Sequence, residues 1–186
     1  MNLAMLKPAA SGVADDLFAA ARARLPGKGP VAEAREAAFA DFSQRGLPHR
    51  RIEEWKYTDL RALLGAIAQL AAAPDQAALS RAKKALASLD VSGTHRLVLV
   101  DGVFAPTLSD ATPEAGVSVR TLAEMLDDPK LDACADLLRT SVASDAMISL
   151  NAAMATDGVV IDVAAKATPA KPLHIVHVAT QSKAAA

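Results

Sequence analysis

Apolar residues recur at helical spacing through the first half of the chain, and the texture turns to strand after about residue 90. Val13 to Leu25, apolar at Val13, Leu17, Phe18 and Ala21, and Val31 to Gln44, closed by Gly46, are expected to be two helices. Leu60, Leu63, Leu64, Ile67 and Leu70 predict a third behind a cap at Thr58 or Asp59, ending before Pro74. A fourth, Asp75 to Leu89, sets Ala78, Leu79, Ala82, Ala85, Leu86 and Leu89 on one side.

Arg96 to Val100, Asp101-Gly102 and Val103-Phe104 then read as strand, tight turn and strand, a short hairpin closed before Pro106. Val117 to Arg120 predicts another strand, and Thr121 with Glu124 a capping box for a short helix through Leu126. Helix is expected again from Leu131 to Thr140, and from a cap at Ser144 or Asp145 through Ala155. Gly158 to Val163 and Pro172 to Val178 are the last two strands; Val159-Val160-Ile161 alternates so poorly that both faces are expected to be covered.

Composition narrows the class. The chain has 186 residues, 52% hydrophobic and 22% charged, enough for one sizeable core or two small ones. Lys and Arg nearly balance Asp and Glu, with no block of like charge to follow a phosphate backbone, so nucleic acid is not an expected partner. No apolar stretch has the length of a membrane span or a signal peptide, and the single cysteine, Cys134, excludes an internal disulfide; the expected location is cytoplasmic.

No reactive constellation emerges. Pro26-Gly-Lys-Gly-Pro30 lacks the spacing, the Ser or Thr and the preceding strand of a phosphate-binding loop, and reads as a rigid linker. Ser80 and Lys83 fit a Ser-x-x-Lys spacing without the other elements of an acyl enzyme. The histidines are His49, His95, His174 and His177, and the last pair, three apart on a strand, would point to opposite faces. Cys134 reads as a small buried hydrophobe, and Asp101 and Asp157, each before a glycine, as turn residues. No catalytic residue, bound cofactor or metal is expected of this chain.

Arg50-Arg-Ile-Glu-Glu-Trp-Lys-Tyr-Thr58 holds the only Trp and the only Tyr amid charged side chains, as expected of an anchoring or docking corner, with Arg51, Glu53, Trp55, Lys56, Tyr57 and Thr58 as its candidate residues. Gly46 to Leu60, which contains it, resembles the N-terminal signature of the SufB/SufD family of the bacterial Suf iron-sulfur cluster assembly machinery, the SufD branch above all. Leu97 to Phe104 with Leu108-Ser109, and Ser149 to Ile161 running on to Lys171-Pro-Leu-His-Ile175, match further family segments in the same order.

The resemblance implies an α+β fold: an N-terminal helical region (1–93), a hairpin with short helices (94–145), and the first strands of a β-helix, truncated (146–186). It implies a non-catalytic scaffold subunit that works with a SufB-like paralogue and a SufC-like ABC-type ATPase, with ATP and the iron-sulfur cluster handled by the assembled complex. Family members continue through a long β-helix, so this chain is expected to be their N-terminal part, with a tail after about Asp157 that is poorly ordered or self-associating in isolation. Two other classes stay open: a free-standing helical protein-interaction module, and a small enzyme with Cys134 or Ser80 as nucleophile.

Overall fold

The computed structural model describes residues 9–64, 70, 72–89, 92–110, 114–128, 130, 135, 136, 138 and 145–180. The chain divides into two compact units, and each is assembled from separate stretches: Met1–Leu70 with Pro129–Ala155, and Ala71–Asp128 with Thr156–Ala186. The predicted changes of texture along the chain follow secondary structure, whereas these units follow contacts made by segments that return from later in sequence. Mixed helix and strand make the fold α+β, as expected.

The first unit is helical. α1 (Ala9–Ala21) and α2 (Pro30–Arg45) are joined through the proline and glycine linker, and Pro30 opens α2 at a position where its missing N–H costs nothing. α2 stops at Gly46, whose φ of +68° suits glycine and whose N–H bonds the Phe42 carbonyl at 2.7 Å. The buried positions of α2 are Val31, Arg35, Ala38 and Phe42, one stripe at helical spacing. α3 (Leu60–Leu64) is a single turn in which Asp59 accepts a bond from the Ala62 N–H at 3.3 Å. Ile67, which would have extended it, lies outside the described residues.

α6 (Ala146–Met154), capped by Asp145, packs on α2 through its small buried residues Ala146, Ser149, Ala152 and Ala153, which let the two backbones approach closely. Phe18 and Phe39 stack with ring centroids 4.1 Å apart over this junction, and Phe18, Ala38, Ala152 and Ala153 form its core. The predicted helix Leu131 to Thr140, with Cys134, lies almost wholly outside the described residues.

The second unit is built on a sheet. α4 (Gln76–Leu86), N-capped by the Asp75 carboxylate on the Ala78 N–H at 2.7 Å, buries Ala78, Ala82 and Leu86, the last two in one cluster with Val98 and Val100. Ala85, expected on this face, is exposed at the edge of the stripe, and Leu89 lies beyond the helix end. Ser80 and Lys83 are both exposed, in keeping with a solvated face.

β1 (His95–Val100) and β2 (Val103–Phe104) form the expected hairpin, turning at Asp101 and Gly102, whose φ angles of 49° and 84° are the two positive values that a tight hairpin turn requires. β1 is also the central strand, paired in parallel along its whole length with β5 (Leu173–Val178) in the order β2-β1-β5. Burial of the run Leu97 to Val100 on both faces explains why it is continuously apolar. That property was expected of Val159-Val160-Ile161, yet these residues are only half-buried: they lie in β4 (Val159–Val163), which pairs antiparallel with β3 (Val117–Thr121) in a separate two-stranded sheet. α5 (Leu122–Asp127) follows β3, with the Thr121 hydroxyl accepting from the Glu124 N–H at 3.1 Å. The tail from Asp157 to Val178 is thus anchored strand by strand to upstream partners. No helix among the described residues is long and apolar enough to cross a membrane.

Candidate functional site

The Arg50–Thr58 segment folds back on itself immediately after α2. Leu47 and Pro48 are buried beneath it, and successive carbonyls are taken up by turns: the Ile52 N–H donates to His49 O, Trp55 N–H to Ile52 O, and Thr58 N–H to Trp55 O at 2.8 Å. The Leu60 N–H closes the loop on the Pro48 carbonyl at 3.1 Å, and the Arg61 guanidinium reaches the Leu47 carbonyl at the same distance. A one-turn helix at Glu53–Trp55 sets the two rings in different directions.

Trp55 turns to its own chain. Its indole Nε1 donates to Asp145 Oδ2 at 2.5 Å, across 90 positions of sequence. Asp145 Oδ1 accepts the Met147 N–H at 2.7 Å, so a single carboxylate caps α6 and holds the signature tryptophan. Tyr57 points outward and is 91% exposed. Lys56 joins Glu53 at 2.6 Å and lies 5.3 Å over the Tyr57 ring, which brings three of the six candidate residues together on the outside of the loop. Arg51 is exposed, and Thr58 is half-buried with its N–H on the loop backbone. Leu63 and Leu64, also exposed, follow on α3.

Two further fastenings hold α6, and neither was foreseen. Arg35, only 3% exposed, donates from Nη1 to the carbonyls of Ala152 and Ala153 at 3.3 and 3.2 Å, and from Nε to Pro26 O at 3.2 Å. A cation thereby meets the C-terminal carbonyls of α6, where the helix dipole favours it. The Ser149 hydroxyl donates to Asp41 at 2.6 Å midway along the helix. Arg35 stands in step with Val31, Ala38 and Phe42, so its place on an otherwise apolar stripe was the available signal.

Among the described residues no three His, Cys, Asp or Glu side chains converge as a metal site, and His174 and His177, three apart on β5, turn to opposite faces. Asp101 and Asp157 do more than favour turns. Asp101 accepts both the N–H and the hydroxyl of Thr180, at 2.7 and 2.6 Å, and Asp157 accepts the N–H groups of Phe104 and Ala123 at 2.9 and 3.2 Å, joining β2 to the start of α5. Both carboxylates are structural clasps.

The arrangement is one of fastening and display, with a half-buried Trp clamp and an exposed Tyr beside it. Comparison with known proteins places it. Residues 15–175 match the model of the SufBD protein N-terminal region. The chain is 30% identical over 133 residues to the iron-sulfur cluster assembly protein SufD of Escherichia coli (strain K12), a stretch that covers 72% of this chain and 28% of that relative. One segment that carried the resemblance, the Trp55 loop, bonds the N-cap of α6, the helix in which another begins, and the chain belongs to the SufB/SufD family, whose N-terminal region it represents.

Proposed function

We propose that this chain is the N-terminal region of a non-catalytic scaffold subunit in a Suf-type iron-sulfur cluster assembly complex. The observation that carries the reading is the Trp55–Asp145 clamp, because it ties the family's N-terminal signature to the helix that leads into its second specific segment. In this reading the clamp is the structural half of the signature and Tyr57, with Lys56 and Arg51, is the docking half. Exposed Tyr and Arg side chains are the residue types that dominate protein interfaces. β4 and β5 are the first strands of a β-helix, supported by the parallel pairing of β5 with β1. The partners are a SufB-like paralogue and a SufC-like ABC-type ATPase; ATP and the nascent cluster are substrates of the complex, not ligands held by this region.

Deleting the gene and measuring iron-sulfur enzyme activities in the host tests the proposal. Activities that fall and return with the restored gene support it, and activities that stay level sink it.

The exposure of Tyr57, Leu63 and Leu64 also suits a free-standing interaction module. The two readings separate in that deletion, since a module without a role in cluster assembly leaves iron-sulfur enzymes untouched.

A further inference from the structure

The face of the sheet that α4 covers is apolar except at one pair. Side chains alternate along a strand, so Arg96 stands with Val98 and Val100, and His174 with Val176 and Val178, the valines that cluster with Ala82 and Leu86 of α4. The parallel register of β1 and β5 sets Arg96 directly beside His174. Neighbouring strands lie about 4.8 Å apart, so the two side chains rise from the sheet next to each other.

Each carries a nitrogen that is buried and has no hydrogen-bond partner, Nε of Arg96 and Nδ1 of His174. Their needs are complementary. A guanidinium Nε–H can only donate, and a neutral imidazole with its proton on Nε2 offers Nδ1 as an acceptor. Buried polar groups in folded proteins are nearly always hydrogen-bonded, and among the described residues the surroundings offer these two no other partner. Leu79, Ala105 and Leu108 complete the cover of the face with apolar side chains, while the cations of α4, Arg81, Lys83 and Lys84, are exposed. Of the carboxylates nearby, Asp110 is engaged by the Arg96 backbone N–H at 2.8 Å, and Glu114 by the N–H groups of Ala170 and Lys171.

We infer that Arg96 and His174 form a pH-sensitive latch between β1 and β5, in which the neutral imidazole Nδ1 accepts the guanidinium Nε–H and protonation of His174 breaks the bond. A proton on Nδ1 turns the acceptor into a second donor and sets two cations a few ångströms apart. The paired strands then require the imidazole neutral, so they bind fewer protons than the separated strands, and the pairing weakens as pH falls. Both members of the latch are enclosed within this unit, and a strand added beyond β5 would leave the register of His174 with Arg96 unchanged. The inference stands independently of the assembly role, since it follows from this pair of strands alone.

Two measurements test it. In the protein labelled with nitrogen-15 at histidine, the His174 ring at about pH 8 should show its proton on Nε2 and a bare Nδ1; a proton on Nδ1 there would overturn the proposal whether or not any variant folds. Hydrogen exchange, corrected for the intrinsic effect of pH, should show the protection of the Asp101 amide, which bonds Val178 O across the two strands, falling about tenfold between about pH 8 and about pH 5.5, a range that spans imidazole titration and lies above that of ordinary carboxylates. His174→Asn keeps an acceptor near the place of Nδ1 and does not titrate, so its protection should stay level over that range. Arg96→Met removes the donor and the neighbouring charge and should also flatten the profile, at lower protection throughout. A fall of equal size in the protein and in His174→Asn, or no fall in the protein, would overturn the latch.

Discussion

Trp55 and Asp145 share a hydrogen bond of 2.5 Å, and the other oxygen of the same carboxylate caps α6. Asp145→Ala should therefore remove a helix cap and leave an indole N–H without its acceptor, at a combined cost of about 2 to 3 kcal/mol. Asp145→Asn keeps an acceptor for the helix and should cost less. In urea unfolding, Trp55→Phe combined with Asp145→Ala should fall short of the sum of the single changes; full additivity would show that the bond carries no coupling.

Arg35 lies buried across the C-terminal carbonyls of α6 and the Pro26 carbonyl. Truncation to Ala strips charge-assisted bonds from buried carbonyls and opens a cavity, so a loss of about 2 to 4 kcal/mol is expected in the same assay. A change below about 0.5 kcal/mol, the range of ordinary surface substitutions, would remove Arg35 from this role.

Asp157 accepts two backbone N–H groups, one from β2 and one from the first turn of α5. Asp157→Ala should destabilise the second unit by about 2 kcal/mol. Hydrogen exchange should quicken at the Phe104 and Ala123 amides first, and uniform quickening over all amides with no local excess would contradict a clasp at these two groups.

Tyr57 offers the opposite case. At 91% exposure it has little folded structure to support, so Tyr57→Ala should change stability by no more than about 0.5 kcal/mol. If the outer face of the loop docks a partner, the same substitution should weaken that complex by about 2 kcal/mol, near thirtyfold, in a calorimetric titration. Unchanged affinity would leave the signature with its structural role alone.

Much of this arrangement was legible in the chain. Gly46, Asp101-Gly102 and Thr121 act through local backbone geometry, so each marked its helix end, turn or cap correctly. The parallel pairing of β1 with β5 was not legible, because it joins residues more than seventy positions apart and no local pattern encodes a partner. Burial on both faces was expected of Val159-Val160-Ile161, where the described residues supply a single antiparallel neighbour; it is found instead along the unbroken apolar run Leu97 to Val100, which was read only as a hairpin strand. For the signature, composition singled out Trp55 and Tyr57 together, but only geometry separates the ring that is clamped from the ring that is displayed. Arg35 was missed because a charged residue on a helix reads by default as solvated, whereas the open carbonyls at the end of α6 give it a buried partner.

The assembly reading is tested most directly by tagging the protein at its N-terminus in its native host, purifying it gently, and recording the intact mass of the tagged chain with the identity of what accompanies it. The account predicts a paralogous subunit and an ABC-type ATPase in stoichiometric amounts, on a tagged chain longer than 186 residues. A tagged chain of 186 residues that comes away alone, or with proteins unrelated to cluster assembly, would contradict it.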